Sequence, residues 1–235
     1  MFEKRSEETE LMDDLQLSND DLQRNLDELE TINYWLGGHK VVLQALQKLL
    51  PQLRKLNRPV TIADVGCGGG DMLREIAKWA EKQGLETELC GVDANAFMLN
   101  YAAPKSTRFP NINFRQSDIF SPEFQEQKFD ILTCSLFCHH FSDESLIQLI
   151  KQLYNQAATA VIINDLERHP LAYWFLPWTR WILRWDPITV HDGPVSVQAA
   201  FLEAELRDLA RAAGLGQIHT RVHRPAFRIT LVAKP

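Results

Sequence analysis

A short glycine-rich stretch, Ala63-Asp64-Val65-Gly66-Cys67-Gly68-Gly69-Gly70-Asp71, constrains this chain more than any other segment. It follows a β-type run and leads into a helical pattern that begins at Met72. Alternating glycines let the backbone turn tightly and let a ligand lie against it, because no Cβ atom obstructs the approach. The helix beyond the turn offers unpaired N–H groups, which suit an anionic group such as a carboxylate. We therefore predict a strand–loop–helix ligand site with an acidic residue beside it.

The position of that acid separates this loop from a dinucleotide-binding loop. The spacing here is Asp64-x-Gly66-x-Gly68-x-Gly70, whereas Gly-x-Gly-x-x-Gly would require a glycine in place of Asp71. An acid ahead of the loop indicates a ligand that carries positive charge as well as a carboxylate. The stretch resembles motif I of class I S-adenosylmethionine-dependent methyltransferases. The resemblance implies a methyltransferase whose cofactor is S-adenosylmethionine.

Length, charge and cysteine usage exclude several other classes of protein. A chain of 235 residues can bury one substantial core and still carry a lid. The net charge of −6 argues against nucleic acid as a main partner. Residues 1–14 lack the apolar core of a signal peptide, and the longest apolar run, 171–178, is too short to span a bilayer, so we expect a cytoplasmic protein. Four cysteines without Cys-x-x-Cys spacing predict reduced thiols and no metal site.

Beyond the glycine loop, strand and helix patterns alternate, which predicts a parallel sheet with helices on both faces. We expect an α/β, Rossmann-like class I methyltransferase sandwich with seven strands, mostly parallel, and an antiparallel last strand, as the resemblance also implies. Residues 1–58 would form an N-terminal helical lid segment, and 59–235 the S-adenosylmethionine-binding domain with a cap insertion at 165–197. The predicted strands are 60–62, 87–92, 112–115, 129–134, 160–164, 217–222 and 227–233.

The N-terminal segment is predicted to form two helices. Residues 1–17 are acidic and weakly periodic, so we expect a frayed or loosely docked start. Ser18 would cap the first helix, and the second would run from His39 to about Leu50. In many methyltransferases such helices close over the cofactor. The resemblance therefore suggests that 33–38 borders the site, with a plain helix-to-helix turn as the alternative.

The resemblance also assigns cofactor roles to side chains at strand ends. Asp93 ends the second predicted strand and matches the residue that accepts hydrogen bonds from both ribose hydroxyls, which needs two acceptor oxygens. Asp118, after the third strand, matches the residue that accepts from the adenine amino group, although Asp is also ordinary turn chemistry. The cofactor-binding residues implied by the resemblance are Asp64, Gly66, Gly68, Gly70, Asp93, Ala94, Ser117, Asp118, Ile119, Cys134 and Ser135.

Two histidines are candidate general bases. The string His139-His140-Phe141-Ser142-Asp143-Glu144 is similar to His-Asp-Trp-Ser-Asp-Glu of small-molecule O-methyltransferases, whose first His is the base. Methyltransferases that act on carbon often carry His-His-Phe at this place without using the first His as a base. His139 could therefore instead be a hydrogen-bonding residue at a helix start. His191, followed by Asp-Gly-Pro, is predicted to lie in a turn that faces the site, and it is the second candidate.

The cap insertion carries four tryptophans at helical spacing, Trp174, Trp178, Trp181 and Trp185, with a break expected at Pro177. Three interpretations are open. The tryptophans could pack on the sheet, form aromatic walls around a substrate, or contact a membrane surface or a partner.

The sequence therefore predicts methyl transfer from S-adenosylmethionine to a small molecule. An aromatic hydroxyl is the preferred acceptor, because two histidines and an aromatic cap suit it. C-methylation of a quinone or phenol ring precursor is the alternative within enzymes. A protein that binds S-adenosylmethionine without catalysis is an alternative from another class, and Asp71 argues against a nucleotide-binding oxidoreductase.

Overall fold

The computed structural model describes the backbone of residues 2–13 and 19–235, and side chains in these ranges except at 13 and 19–21. Ser18, the predicted cap of the first helix, lies outside the described residues. The helices of the described chain are α1 (Asn19–Leu36), α2 (Gly38–Leu53), α3 (Asp71–Gln83), α4 (Ala96–Lys105), α5 (Pro122–Gln125), α6 (Asp143–Gln156), α7 (Pro170–Leu183), α8 (Pro187–Ala199) and α9 (Glu203–Ala212). Its strands are β1 (Val60–Val65), β2 (Thr87–Asp93), β3 (Ile112–Gln116), β4 (Phe129–Ser135), β5 (Ala157–Leu166), β6 (Ile218–His223) and β7 (Arg228–Ala233).

The strands form one seven-stranded sheet in the order β3-β2-β1-β4-β5-β7-β6. β7 runs antiparallel to both of its neighbours, and the pairs among β1 to β5 are parallel. The predicted seven-stranded, mostly parallel sheet with an antiparallel last strand is therefore confirmed. Val65 at the end of β1 pairs with Val92 and Cys134, so the carboxyl ends of β1, β2 and β4 lie side by side.

Helices cover both faces of the sheet because apolar side chains alternate along its strands. Ile62 of β1 joins the core that includes α2 and α3, whereas Ala63 and Val65 join the core that includes α6 and α9. In β4, Ile131 and Leu132 divide between the two cores in the same way. A central parallel sheet needs this apolar covering on both sides.

The two N-terminal helices have different surroundings. Val42 and Leu46 of α2 are fully buried in the core with β1 and α3, so α2 is a layer of the sandwich. α1 lies beside the carboxyl ends of the strands, where its Leu29 and Asn33 line two cavities. Only part of the segment 1–58 thus has the position of a lid.

Residues 2–13 are docked on the rest of the protein, which agrees with the second of the two expectations for 1–17, a frayed or a loosely docked start; residues 1 and 14–17 lie outside the described residues. Arg5 donates to the carbonyl oxygen of Phe141 at 2.9 Å. The backbone N–H of Leu11 donates to the carboxylate of Asp192 in α8 at 2.9 Å. Apolar periodicity could not reveal this docking, because polar and backbone hydrogen bonds hold the segment.

The cap insertion at 165–197 folds largely as α7 and α8, which pack against each other. α7 continues through Pro177, where a break was expected, and the predicted turn at 190–194 is wrong because these residues lie inside α8. Gly193 permits close packing of the two helices, since a Cβ atom there would lie 2.2 Å from Cδ1 of Leu176. The Asp-Gly-Pro signal therefore marks a helix contact.

Three of the four cap tryptophans face solvent. Trp174, Trp178 and Trp181 are 42%, 68% and 78% exposed, and Trp185 is half-buried. For the three exposed residues, packing on the sheet and lining a substrate pocket are both wrong. The third interpretation, contact with a membrane surface or a partner, is consistent with their exposure. Among the described residues, the helices are too short or too polar to cross a membrane.

Candidate active site

The glycine loop between β1 and α3 has the left-handed backbone geometry that its glycines predict. Gly66, Gly68 and Gly70 have φ angles of 67°, 48° and 72°, a region that other residues rarely adopt. The N–H of Gly66 donates to the carbonyl oxygen of Val92 at 2.9 Å, which ties the loop to the end of β2. The glycines thus allow the tight turn of the loop, and the hydrogen bond to Val92 anchors the loop to β2.

Asp93, at the end of β2, faces this loop. Its Oδ2 accepts from the N–H of Gly68 at 3.0 Å, and its Oδ1 accepts from the N–H of Asn95 at 2.9 Å. Burial raises the pKa of the Asp93 carboxyl, against the lowering effect of these backbone N–H groups. Each carboxylate oxygen retains a further acceptor site, so two vicinal hydroxyls can still bind.

Asp64 lies buried beneath the loop. Its Oδ1 accepts from the hydroxyl of Thr133 at 2.6 Å. Burial raises the pKa of Asp64 to about 7, and the nearby acids Asp71 and Asp93 add to the shift. A cation placed among these carboxylates would be stabilised, which fits the positive charge that the motif predicts for the ligand.

A cavity of about 380 Å³, here called the loop cavity, lies beside the glycine loop. The predicted cofactor residues that line it are Gly66, Gly68, Asp93, Ala94 and Ser135. Asp64 borders a much smaller cavity nearby, together with Gly66 and Ser135. The predicted residues that line neither of these cavities are Gly70, Ser117, Asp118, Ile119 and Cys134.

An aromatic ring lies where the loop cavity ends. Phe137 packs so tightly on Gly66 that a Cβ atom at 66 would lie 2.3 Å from its ring. Phe137 contacts Phe141, with ring centroids 5.0 Å apart, and Phe141 contacts Phe120 at 6.0 Å. Asp118 is exposed beyond this aromatic series and accepts from the N–H of Phe120 at 2.8 Å. Its predicted contact with adenine therefore stays a prediction.

Asn33 of α1 connects several parts of the site. Its amide lies 3.5 Å from Oδ2 of Asp71, which also contacts Nε2 of His39 at 2.6 Å. On its other side, Oδ1 of Asn33 accepts from Nη2 of Arg228 at 2.8 Å. Of the segment 33–38, Asn33 lines the loop cavity and Gly38 borders the small cavity beside it, whereas Tyr34 and Trp35 are exposed.

A second cavity, here called the apolar cavity, has a volume of about 390 Å³ and lies between α1, α7, α8 and the start of β7. Leu29 and Ile32 of α1 face Phe175 and Leu176 of α7 across it. These side chains make a predominantly hydrophobic wall, which is typical of a small-molecule site.

The loop cavity and the apolar cavity adjoin. Asn33, Leu136 and His140 line both of them. Leu136 and His140 follow the carboxyl end of β4, where ligands bind in open α/β sheets. A cofactor in one cavity and a second molecule in the other would meet at these residues.

His139 is held by carboxylates on both sides of its ring. Nδ1 lies 2.6 Å from Oδ1 of Asp165, and Nε2 lies 3.2 Å from Oε1 of Glu10. Burial by itself would lower the pKa of His139, but the two acids outweigh it and raise the pKa to about 10. At neutral pH both ring nitrogens therefore carry protons and neither can accept one. This geometry favours the interpretation of His139 as a hydrogen-bonding residue over its interpretation as the base.

The other histidines differ in their access to the cavities. His191 lies in α8 with Nδ1 at 2.9 Å from Oδ1 of Asp192, and it is absent from the walls of both cavities. His140 lines both cavities and its ring stacks on His139, with centroids 4.4 Å apart. His140 is therefore better placed for proton transfer than either predicted candidate.

Glu10, His139 and His140 offer ligand atoms within 4.8 Å of one another, the group among the described residues that could hold a metal ion. A metal ligand needs a neutral imidazole nitrogen, and the raised pKa of His139 opposes that state. The prediction of no metal site stays a prediction.

Sequence reasoning missed three residues at the cavities. Glu10 gave no signal, because it is one of eleven acids among residues 1–30. The one signal for His140 in the sequence was that it stands where the O-methyltransferase string has Asp. Arg228 had a usable signal, since it is a charged residue at the start of the apolar strand β7.

The pair of carboxylates that holds the His139 ring, from Glu10 and Asp165, is here called the clamp. It predicts how the free energy of unfolding depends on pH. The folded pKa is about 10, above the ordinary value of 6.5, so the stabilisation is complete below pH 6.5. It should be lost as the pH rises from 6.5 through 10. Denaturant unfolding across this range should show the loss in the native chain and a much smaller loss in His139→Asn. An equal decline in both proteins would contradict the clamp.

Comparison with known proteins agrees with this geometry. Residues 62–158 match a family model described as a methyltransferase domain. A ubiquinone/menaquinone biosynthesis C-methyltransferase, UbiE of Campylobacter jejuni, is 36% identical over 83 residues, which are 34% of this chain and 33% of the relative. The uncharacterized methyltransferase YcgJ of Bacillus subtilis is 31% identical over 84 residues, 35% of this chain and 31% of the relative. The chain thus spans about one third of the length of these relatives.

Solved structures share the fold over most of the chain. The plantazolicin methyltransferase BpumL, in complex with SAH, has a TM-score of 0.62 at 17% identity and covers 92% of this chain and 91% of its own. The magnesium protoporphyrin IX methyltransferase ChlM of Synechocystis PCC 6803, with bound SAH, has a TM-score of 0.54 at 17% identity and covers 84% and 83%. With the glycine loop, Asp93 and the sheet order in place, the chain has the fold of class I S-adenosylmethionine-dependent methyltransferases, and residues 62–158 are similar to a methyltransferase domain.

Proposed function

We propose that this protein transfers a methyl group from S-adenosylmethionine to a small molecule. The observation that carries the proposal is the pair of adjoining cavities, of about 380 and 390 Å³, which share Asn33, Leu136 and His140. The loop cavity has the residues that a cofactor requires, and the apolar cavity has the character of an acceptor site. Methyl transfer needs both molecules to meet at one point.

The residues of the loop cavity fit S-adenosylmethionine. Asp93 offers acceptor oxygens for ribose hydroxyls at the rim of the loop. Asp64 and Asp71 supply negative charge for an ammonium or sulfonium group, and the N-terminal end of α3 suits a carboxylate. The glycines leave the backbone accessible, and nothing lies within 4 Å of the position that a Cβ atom would take at Gly68.

When bound, the cofactor supplies an activated methyl group on a sulfonium. The contribution of this chain is to hold the acceptor in line with that methyl and to exclude water, which can lower the barrier by ~7–11 kcal/mol. The apolar wall of Leu29, Phe175 and Leu176 serves water exclusion. His140, at the junction of the cavities, is the residue placed to accept a proton from the acceptor.

An aromatic hydroxyl is the acceptor we prefer. A phenol has a pKa near 10, so its methylation benefits from a base such as His140. Methylation of a ring carbon in a quinone precursor is the second candidate, supported by the naming of the C. jejuni relative for C-methylation. A protein that binds the cofactor without catalysis would show affinity and no turnover. A cytoplasmic location stays a prediction.

Replacing Asp93 tests cofactor binding. Asp93→Ala should weaken the binding of S-adenosylhomocysteine by about 1–3 kcal/mol, because two ribose hydroxyls lose their acceptor. Isothermal titration calorimetry measures this directly. Asp208→Ala, the same change at an exposed position of α9, should leave the affinity unchanged. Equal affinity of native protein and Asp93→Ala would remove Asp93 from the cofactor site.

Replacing His140 tests proton transfer. His140→Gln should lower the rate of label transfer from methyl-labelled cofactor into a metabolite extract by ~10²–10⁴-fold if the acceptor is a hydroxyl. His191→Gln should keep nearly the native rate, because His191 is outside both cavity walls. Cofactor affinity, measured by calorimetry, should be native in both. A native rate in His140→Gln would argue for a carbon acceptor or for an acceptor that needs no base.

We also propose that the exposed face of α7 contacts an anionic lipid surface. Trp178 and Trp181 are largely exposed, and Arg180 lies over the Trp181 ring at 4.4 Å. The helix contains an arginine and no acid, although the protein as a whole carries a net charge of −6. Aromatic side chains interspersed with arginine are typical of helices that lie in a membrane interface.

This surface can be tested without disturbing the core. Trp178→Ala and Trp181→Ala should reduce co-sedimentation with phosphatidylglycerol vesicles, while the free energy of unfolding changes by less than ~1 kcal/mol. Trp79→Ala, which removes a tryptophan that is only 8% exposed, should instead cost ~3–5 kcal/mol. Vesicle binding that is unaffected by loss of both exposed tryptophans would refute lipid contact and leave a protein partner for this face.

A further inference from the structure

Arg228 is a buried cation in the wall of the apolar cavity. Its side chain is 3% exposed, and it lines that cavity but neither the loop cavity nor the small cavity beside it. It is the first residue of β7, paired with Leu166 at the carboxyl end of β5. Because β7 is antiparallel, its first residue arrives at the same edge where the parallel strands end.

The guanidinium lacks a counter-ion among the described residues. Nη2 donates to Asn33 at 2.8 Å, and Nε is buried with no hydrogen-bond partner. The negative charge of Asp165 favours the charged form of Arg228, but the Asp165 carboxylate is bonded to Nδ1 of His139 at 2.6 Å and makes no salt bridge with Arg228 among the described residues. Gly38 leaves room for the group, since a Cβ atom there would lie 3.3 Å from Nε.

The acids around the apolar cavity are, by contrast, already satisfied. Glu10 is bonded to His139 and to the hydroxyl of Ser196. Asp192 accepts from the backbone N–H groups of Leu11 and Met12 at 2.9 and 3.0 Å. Two buried polar atoms of residues that line this cavity lack a hydrogen-bond partner within the described chain: Nε of Arg228, which is a donor, and Oδ1 of Asn25, which is an acceptor.

A buried charge without a directly bonded counter-ion is costly to a folded protein, so its retention needs a reason. Burial lowers the pKa of Arg228 to about 10, which still leaves it charged at neutral pH. A planar guanidinium in a fixed position binds a carboxylate or another anionic oxygen group through paired hydrogen bonds.

We infer that Arg228 recognises an anionic oxygen group on the methyl acceptor, so that the substrate class is an amphipathic organic acid with an apolar body. This inference rests on the proposed function and narrows its substrate. The apolar body would lie against Phe175 and Leu176, and the anionic group would bind at Arg228 and Asn33. Arg228 is thereby a specificity-determining residue, which selects charged acceptors over neutral ones of the same shape.

The test compares a carboxylate with its neutral amide. Phenylbutyrate, phenylhexanoate and phenyloctanoate, and the corresponding amides, are titrated by calorimetry into protein saturated with S-adenosylhomocysteine at neutral pH. At least one acid should bind about tenfold to a hundredfold more tightly than its amide, as expected for a charge-assisted hydrogen-bonded pair. No measurable acid binding in the series, or equal affinity for acid and amide, would overturn the inference.

Variants assign the preference to its residue. Arg228→Gln should bind acid and amide equally, with its affinity for the amide retained. Arg228→Lys should keep part of the preference for the acid. Arg221→Gln, at an exposed position of the adjacent strand β6, is the matched control and should behave as the native chain does. Persistence of the full preference in Arg228→Gln would place recognition elsewhere.

Thermal unfolding separates recognition from a structural role. Arg228→Met removes a buried charge that has no directly bonded counter-ion among the described residues, so the melting temperature of the ligand-free protein should stay equal or rise while acid binding is lost. A large fall in melting temperature would mark Arg228 as structural and contradict the inference. If acid recognition fails while these variants and the native protein bind S-adenosylhomocysteine with equal affinity, the inference fails and the proposed function does not. If the native protein itself does not bind S-adenosylhomocysteine, the proposed function fails.

Discussion

The site depends on the alignment of the carboxyl ends of β1, β2 and β4. Each strand ends in a functional segment: the glycine loop after β1, Asp93 at the end of β2, and Leu136 to His140 after β4. Parallel pairing brings these three segments to one edge of the sheet. Hydrogen bonds from Gly66 to Val92 and from Gly68 to Asp93 then fix the loop on its neighbour. The fold thus positions the glycine loop and Asp93, the residues we propose to hold the cofactor, through backbone register.

The antiparallel direction of β7 brings its first residue to the edge of the sheet where the parallel strands end. In a parallel strand, the first residue would lie at the opposite edge. The first residue of β7 therefore lies beside the ends of the other strands, which places Arg228 in the wall of the apolar cavity. Opposite it, a buried cluster of Glu10, His139 and Asp165 joins the docked N-terminal segment to β5. His139 is therefore paired with two acids, whereas Arg228 makes no salt bridge within the part of the chain that the structure describes. The difference in pairing is what distinguishes their roles.

The two sides of α7, the first helix of the cap insertion, lie in different environments. Phe175 and Leu176 of α7 close the apolar cavity, whereas Trp178 and Trp181 point away from it into solvent. Gly193 allows α8 to pack closely on Leu176 and so completes the cavity wall. The helix that lines the apolar cavity also exposes the tryptophan face that we propose for lipid contact.

The sequence by itself determined the sheet, the glycine loop and the place of Asp93, because these follow from local signals: apolar periodicity, alternating glycines and an acid at a strand end. It could not assign the roles of the histidines, since the proton affinity of His139 is set by Glu10 and Asp165, which are far apart in the chain. Nor could it orient the tryptophans, because helical spacing defines a face without stating what that face meets. Only the tertiary structure brought Arg228 to Asn33 and left its Nε, among residues 2–13 and 19–235, without a hydrogen-bond partner. Long-range electrostatics and packing decide such features, and no local pattern records them.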